Sequence, residues 1–394
     1  MDIAKEILSL AEQYRAWTAE NLSRLIRIKS FSCREQAVMD ELKRQMESAG
    51  FDEIFVDPMG NVIGRIGEGK RMLVIDAHLD TREIGVLEKW ESDPFSGYID
   101  DEFVYGRGSV NQKAGAASFV TAGRILKELG FGRDLTIFFT GSVMQEACSG
   151  LSWKYIIENN HIRPDAVLLT KPTNLRVNRG QRGQVDISVT FRGGRGAGKD
   201  GRDLNAVYLG ARASLYIEKL NRSSCMADQF LGKGSATISE FISLSPSLQS
   251  IPNYAKIHVD RRLTWGETRE SAVSEIDSIL RNAPAQVEVL KYKAQAYTGL
   301  PVVMSRYYPS WKMPPNHPAV IAGINCYEEL FGSLPELGKW EITTSGSMIN
   351  GFYGFPCIGF GPGDENLAYS PHERVPVDHL QKAAAYYALF AHTI

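Results

Sequence analysis

Cysteine is scarce in this 394-residue sequence. Cys33, Cys148, Cys225, Cys326 and Cys357 form an odd, scattered set without a paired short spacing. That excludes a zinc ribbon and a disulfide framework, and it fits a reducing compartment. Long apolar runs are missing as well: nothing approaches the ~18 residues of a membrane span. The amino terminus, Met1-Asp-Ile-Ala-Lys-Glu, begins an amphipathic helical pattern rather than a leader peptide. Nor is there an excess of charge, since 44 Lys+Arg stand against 46 Asp+Glu, a net of −2. Without a global field, nucleic acid and anionic membranes are poor partners. We see no internal repeat and no low-complexity segment. The expectation is a cytoplasmic protein acting on something small, roughly neutral or zwitterionic.

Length then favours two domains, because single cores stop growing near ~250–300 residues. Helical periodicity covers 3–30, 35–49, 112–129, 150–159 and 377–392. Strand patterns cover Ile54–Val56, Asn61–Ile66, Met72–Ala77, Leu135–Thr140 and Ala166–Thr170. This alternation predicts an α/β fold with a mostly parallel sheet flanked by helices. Near residue 180 the texture changes. Gln184–Phe191 alternates with period two, Gly193–Gly198 reads as a flexible loop, and helices over 204–220 and 268–282 alternate with strands flanking Ile251-Pro252 and over Gln286–Lys293. That βαββαβ order predicts a ferredoxin-like α+β lid domain over 181–295, inserted into a discontinuous α/β domain of 1–180 and 296–394.

The most informative stretch is Met72-Leu-Val-Ile-Asp-Ala-His78-Leu-Asp80-Thr81, a core strand handing a His and an Asp to a pocket at its carboxyl end. Other segments follow in order: Gly60-Asn-Val-Ile-Gly64, Tyr105-Gly-Arg-Gly-Ser-Val-Asn111-Gln-Lys113-Ala-Gly115, Gln145-Glu146, Lys171-Pro-Thr173 and Arg179-Gly-Gln-Arg-Gly183. Asp260-Arg-Arg262, Gly266-Glu-Thr268, Gly359-Phe-Gly-Pro-Gly363 and Ala368-Tyr-Ser-Pro-His-Glu373 complete the series. Along nearly its whole length the chain thereby resembles the zinc-dependent amidohydrolase/peptidase family of acetylornithine deacetylase, succinyl-diaminopimelate desuccinylase and aminoacylase. Within that family it is most similar to the branch of selenium-metabolism-linked hydrolases.

The resemblance implies a di-zinc site built from a His oriented by an Asp, a bridging Asp, a Glu-Glu pair supplying base and ligand, a later acidic ligand and a terminal His. Carried over by position, His78, Asp80 and Glu146 match. Asn111 stands for the bridging carboxylate, Gln145 for the base, Lys171 for the later acid and Tyr369 for the terminal His. A lid His that helps stabilise the tetrahedral intermediate falls at Ala197. Arg261, Arg262, Asn253, Thr343, Thr344, Ser345, Gly346 and Gly361-Pro-Gly363 remain where the family binds an amino-acid-like substrate and its carboxylate; either arginine has internal pairing as its alternative.

Two divalent ions need several anionic or imidazole ligands, and an ammonium in their midst repels them. No cofactor is therefore expected; His78 and Glu146 are the fallback ligands should zinc be present. Cys148, beside Gln145-Glu146, reads as packing more than as a nucleophile, and His372 as a displaced ligand only if the terminal motif shifts.

The leading functional expectation is metal-independent cleavage, formation or cyclisation at an amide or other C–N bond, with Lys171 stabilising an oxyanion or, if desolvated to neutrality, attacking a carbonyl, and Glu146 or the His78–Asp80 pair moving protons. Against it stand a non-catalytic relative that binds a small ligand or an active paralogue, and an ordinary zinc deacylase or dipeptidase with an altered site. A homodimer through the lid domain is expected.

Overall fold

In the computed structural model the described residues are 3–131, 134–198, 200, 202–223, 226–280 and 283–394. Cys225, Met1, Asp2 and the last two positions of the helix expected over 268–282 lie outside them. The chain divides into two compact units. The first comprises Met1–Gly180, Ala294–Val302 and Met313–Ile394, the second Gln181–Lys293 and Val303–Lys312. The boundary near 180 agrees with the change of sequence pattern. The segment Val303–Lys312 does not, because Tyr307–Tyr308 adds a short antiparallel strand to Gly183–Arg192 of the second unit.

In the first unit, apolar β-formers assemble a sheet in the order Glu53–Val56, Val62–Ile66, Leu135–Ser142, Arg71–His78, Ala166–Leu169, Cys357–Gly359, Val177–Gln181. The four central strands, from Leu135–Ser142 to Cys357–Gly359, are parallel. The pairings outside them are antiparallel. The sheet is thus mixed rather than mostly parallel, because a tight turn joins the first two strands and leaves no room for a crossover helix. Asp57 Oδ1 accepts the backbone N–H groups of Met59, Gly60 and Asn61 there.

Helices Lys113–Glu128 and Val377–Thr393 are buried along most of their lengths. The helical pattern of 3–30 is divided at Tyr14 into Ile3–Gln13 and Arg15–Arg27. A helix the periodicity did not reveal, Pro318–Phe331, starts with Pro at its first position and stops at Gly332 in the left-handed region.

In the second unit, Ser235–Leu244, Tyr254–Leu263, Gly183–Arg192 and Ala285–Val289 form an antiparallel sheet in that order. Its elements run βαββαβ in sequence with spatial order 4-1-3-2, the ferredoxin-like arrangement. Helices Ala206–Ser223 and Arg269–Ile279 pack on one face, with Ile187, Val189, Ile217, Ile257 and Ile276 in the core between the layers. The glycine-rich loop is tied by a bridge between Gly194 and Leu204, and Gly196 N–H donates to Asp203. Ala197 is exposed on it.

Candidate active site

Ligands in open α/β sheets sit beyond the carboxyl ends of the strands, and three neighbouring parallel strands send chemistry there. Arg71–His78 ends on His78 and leads to Asp80; Leu135–Ser142 leads to Gln145 and Glu146; Ala166–Leu169 leads to Lys171. The fourth, Cys357–Gly359, leads to Gly361, whose backbone lies against that of Lys171. A Cβ at Gly361 would stand 2.1 Å from the Lys171 carbonyl oxygen and 2.4 Å from that of Thr170, so only glycine permits the approach.

His78, Asn111, Glu146, Lys171 and Tyr369 converge in one buried cluster. His78 Nδ1 faces only acceptors, the Asp80 carbonyl oxygen at 3.0 Å and Asp80 Oδ1 at 3.2 Å. Nδ1 therefore carries a proton, while Nε2 lies 3.3 Å from Asn111 Oδ1 and 3.6 Å from Glu146 Oε1. Lys171 Nζ lies 2.9 Å from that Nε2 and donates to Asn111 Oδ1 at 2.9 Å. Glu146 Oε1 lies 3.9 Å from Nζ, beyond hydrogen-bond reach. Asn111 Nδ2 donates to Glu146 Oε1 (2.7 Å) and to Tyr369 Oη (2.8 Å), and Tyr369 O–H donates to the same Glu146 oxygen at 3.0 Å.

Asp80 is the fixed anion beneath. It accepts from Ser32 O–H (2.6 Å) and from the backbone N–H groups of Gln145 (3.1 Å) and Glu146 (2.8 Å). Burial pushes its carboxyl up, but the hydrogen bonds and charge from His78, Ser32 and the Glu146 N–H outweigh burial and hold it below the usual range. Burial lowers the Lys171 ammonium below the ordinary lysine value, while Glu146 and Asp80 oppose the fall. Tyr369 is driven well up, first by burial and then by the Glu146 charge, so it stays a neutral donor.

Several residues that build the cluster carried no such signal in the sequence. Arg82 Nε donates to Glu146 Oε2 at 2.6 Å, and its guanidinium carbon lies 4.3 Å from the Tyr369 ring centroid. Two cations, Lys171 and Arg82, thus face two carboxylates, Asp80 and Glu146. Glu373 Oε1 accepts from the N–H groups of Gly108, Val110 and Asn111, all at 3.1 Å, while its Oε2 takes Arg107 Nη1 at 2.7 Å. Arg107 Nη2 reaches the Tyr369 carbonyl at 3.2 Å, so one buried ion pair fastens the loops that deliver Asn111 and Tyr369. Met144 (φ 57°) and Tyr369 (φ 65°) both sit in the left-handed region. Such strain persists where neighbours over-determine it, and for Met144 the neighbour is Glu35, whose Oε1 takes its N–H at 3.0 Å.

Other expected residues are placed elsewhere. The Gln145 side chain is engaged by Ser149, Gly150 N–H and Ser345, so it braces a loop and only its backbone N–H reaches Asp80. Ser345 is the donor in that brace, and Thr344 Oγ1 accepts from the N–H of buried Gly346. Arg261 is a correction. It is 1% exposed, with Nε and Nη2 on Glu275, Nη2 also on Glu267, and Nη1 on the carbonyls of Arg262 and Ser235. A guanidinium so occupied has no edge left for a substrate carboxylate. Arg262 pairs with Asp260, and Asn253 is an exposed residue of the second unit whose carbonyl accepts Gly193 N–H. His372 is mostly exposed, beside Glu91 at 3.5 Å, and Cys148 is buried. Among the described residues, no three His, Cys, Asp or Glu side chains form a metal-ligand group.

The profile described as Peptidase family M20/M25/M40 matches residues 74–393. An Escherichia coli K12 protein, the uncharacterized YgeY, is 41% identical over 388 residues, 98% of this chain and 96% of its own length. Acetylornithine deacetylase of Pectobacterium atrosepticum is 24% identical over 323 residues, covering 80% and 78% of the two chains. The crystal structure of an M20 family metallo-carboxypeptidase from Sulfolobus solfataricus shares the fold, with a TM-score of 0.69 at 15% identity over 95% of this chain and 98% of that one. The ordered motifs, the shared architecture and the cluster at the strand ends lead to one conclusion: this chain belongs to peptidase family M20/M25/M40.

Proposed function

We propose that the protein acts on an amide or other C–N bond of a small amino-acid-like compound, with Lys171 in place of a metal. The observation that carries this reading is Lys171 Nζ, buried and 2.9 Å from His78 Nε2. The residues present do not fit a zinc ion. The imidazole Nε2 faces an ammonium, Glu146 Oε1 already takes two donors, and a cation stands where a second cation would have to bind.

The third Nζ–H position has no acceptor within reach among the described residues, which leaves it for a substrate carbonyl oxygen. Cleavage adds water across the C–N bond, and formation or cyclisation removes it. Both pass through the same tetrahedral oxyanion, so Lys171 serves either direction. Lys171, His78 and Asp80 form a relay in which His78 Nε2 exchanges a proton with Nζ while Asp80 accepts from Nδ1. Tyr369, held protonated, donates to Glu146 Oε1 and holds that carboxylate in place.

The test is turnover of a panel of N-acyl amino acids and dipeptides, with metal analysis of protein purified without chelator. Activity that survives chelator and disappears in Lys171→Met supports the reading. Stoichiometric zinc, or activity lost to chelator and restored by zinc, sinks it.

A second reading is favoured by how fully the cluster's polar groups engage one another, with Glu146 accepting from Asn111, Tyr369 and Arg82. It is a non-catalytic protein that binds a small ligand or a paralogue. Ligand binding without turnover, unchanged in Lys171→Met, is its signature. We also propose homodimerisation through the second unit, supported by Phe241, Ile242 and Leu244 exposed on its edge strand and Leu215 on the neighbouring helix. Sedimentation of the native protein and of Leu244→Lys tests it.

A further inference from the structure

We propose that Arg82 is the residue that receives the substrate's carboxylate, and that it sets the specificity of the site for acids over their neutral amides. The inference rests on the reading of the cluster given under Proposed function and names the group by which the substrate is held.

Arg261, Arg107 and Arg82 differ in which guanidinium edges remain available. Arg261 is closed on every side by Glu267, Glu275 and two carbonyls. Arg107 is 2% exposed and joins Glu373 to the Tyr369 carbonyl. Arg82 differs from both. Its inner edge is fixed, with Nε on Glu146 Oε2 and its plane against the Tyr369 ring. Its side chain is nonetheless 59% exposed, and neither terminal nitrogen makes a hydrogen bond among the described residues. A guanidinium anchored at Nε and on one face has lost most of its rotamer freedom before any ligand arrives. Its two remaining nitrogens form the planar fork that matches a carboxylate with two parallel hydrogen bonds.

Placement also suits an amino acid derivative. Glu146 alone separates Arg82 from Lys171, one carboxylate oxygen on Arg82 and the other 3.9 Å from Lys171 Nζ. A ligand whose carboxylate lies on the Arg82 fork has its α-nitrogen, and the acyl carbonyl attached to it, only a few bonds further along. With only the Glu146 carboxylate bridging the two cations, such a ligand directs its carbonyl oxygen to the side on which Lys171 lies. Glu146 lies between the two cations and keeps them from repelling each other, so the incoming carboxylate meets a fixed cation rather than a mobile one.

The experiment is calorimetric titration of the whole protein with N-acetyl-L-alanine and with its carboxamide, isosteric probes that differ in charge at one group. The native protein is expected to bind the acid roughly tenfold or more tightly than the amide, the range for charged hydrogen bonds. In Arg82→Gln the acid falls to the affinity of the amide while the amide is unchanged, and Arg82→Lys recovers part of the preference. If Arg82 serves only to brace Glu146, both probes weaken in parallel in Arg82→Gln, and the inference is overturned. It is equally overturned if the native protein shows no preference for the acid, including no measurable binding of either probe. Lys171→Met separates this result from the fate of the functional reading: loss of turnover tests the latter, while the acid-over-amide preference, read as binding, is expected to persist.

Discussion

Two buried cations, Lys171 in the first unit and Arg261 in the second, look alike from the sequence and differ in what surrounds them. Arg261 lies among Glu267, Glu275 and backbone carbonyls, with all three nitrogens engaged, and it joins its strand to the helix that carries Glu275. Among the described residues Lys171 has hydrogen-bond contacts only with His78 and Asn111, and Glu146 Oε1 is 3.9 Å away. A buried cation becomes a site where the fold leaves part of its bonding capacity unfilled, and becomes a cross-link where it does not.

The comparison is most sharply tested by removing each cation. Arg261→Met leaves Glu267, itself 6% exposed in its side chain, buried without its counter-ion. A loss of about 3–5 kcal/mol in chemical denaturation is expected; a loss under about 1 kcal/mol would show that the second unit does not depend on this cross-link. Lys171→Met strands no anion, since Asp80 and Glu146 keep Ser32, Arg82, Asn111 and backbone donors. Its stability cost is expected at about 1–2 kcal/mol, whereas turnover falls roughly 100-fold or more. Equal destabilisation by the two substitutions would erase the distinction.

Glu35, beneath the strained Met144, extends the test to pH. Burial, reinforced by the Asp80 charge, raises its carboxyl to about 8. Because the folded value lies above the unfolded one, its contribution is full below the ordinary 4.5 and is lost as pH rises through about 8. Relative to Glu35→Gln, the native protein is expected to lose stability across that window, read as the difference in denaturation midpoints at successive pH values; parallel curves would refute it. The smallest effect is expected for Ser345→Ala, about 1 kcal/mol, because Gln145 Oε1 keeps the Gly150 N–H. A large loss of turnover in that variant, with stability unchanged, would return Ser345 to the substrate-contact role that its motif suggested.

Much of the architecture was legible. Period-two and helical patterns placed the strands and helices, the change at 180 marked the second unit, and the run into His78 pointed to the strand ends. What escaped has a common cause. Arg82 follows the His78 motif as an ordinary charged loop residue, and nothing local says that its Nε meets Glu146, 64 positions away. The Arg107–Glu373 pair is separated by 266 positions, and its role as the clasp of two loops exists only when both are folded. Val303–Lys312 returns to the second unit because Tyr307 and Tyr308 find the free flank of Gly183–Arg192, a pairing no periodicity encodes.

By itself the sequence determined which elements form, their order, and which side chains are delivered to the carboxyl ends of the central strands, because propensity and periodicity act over short distances along the chain. Only the tertiary structure decided which of those side chains meet, which arginine is closed and which is open, and that a lysine stands against Nε2 of His78. Those outcomes depend on hydrogen-bond capacity filled or left vacant by residues far apart in the chain.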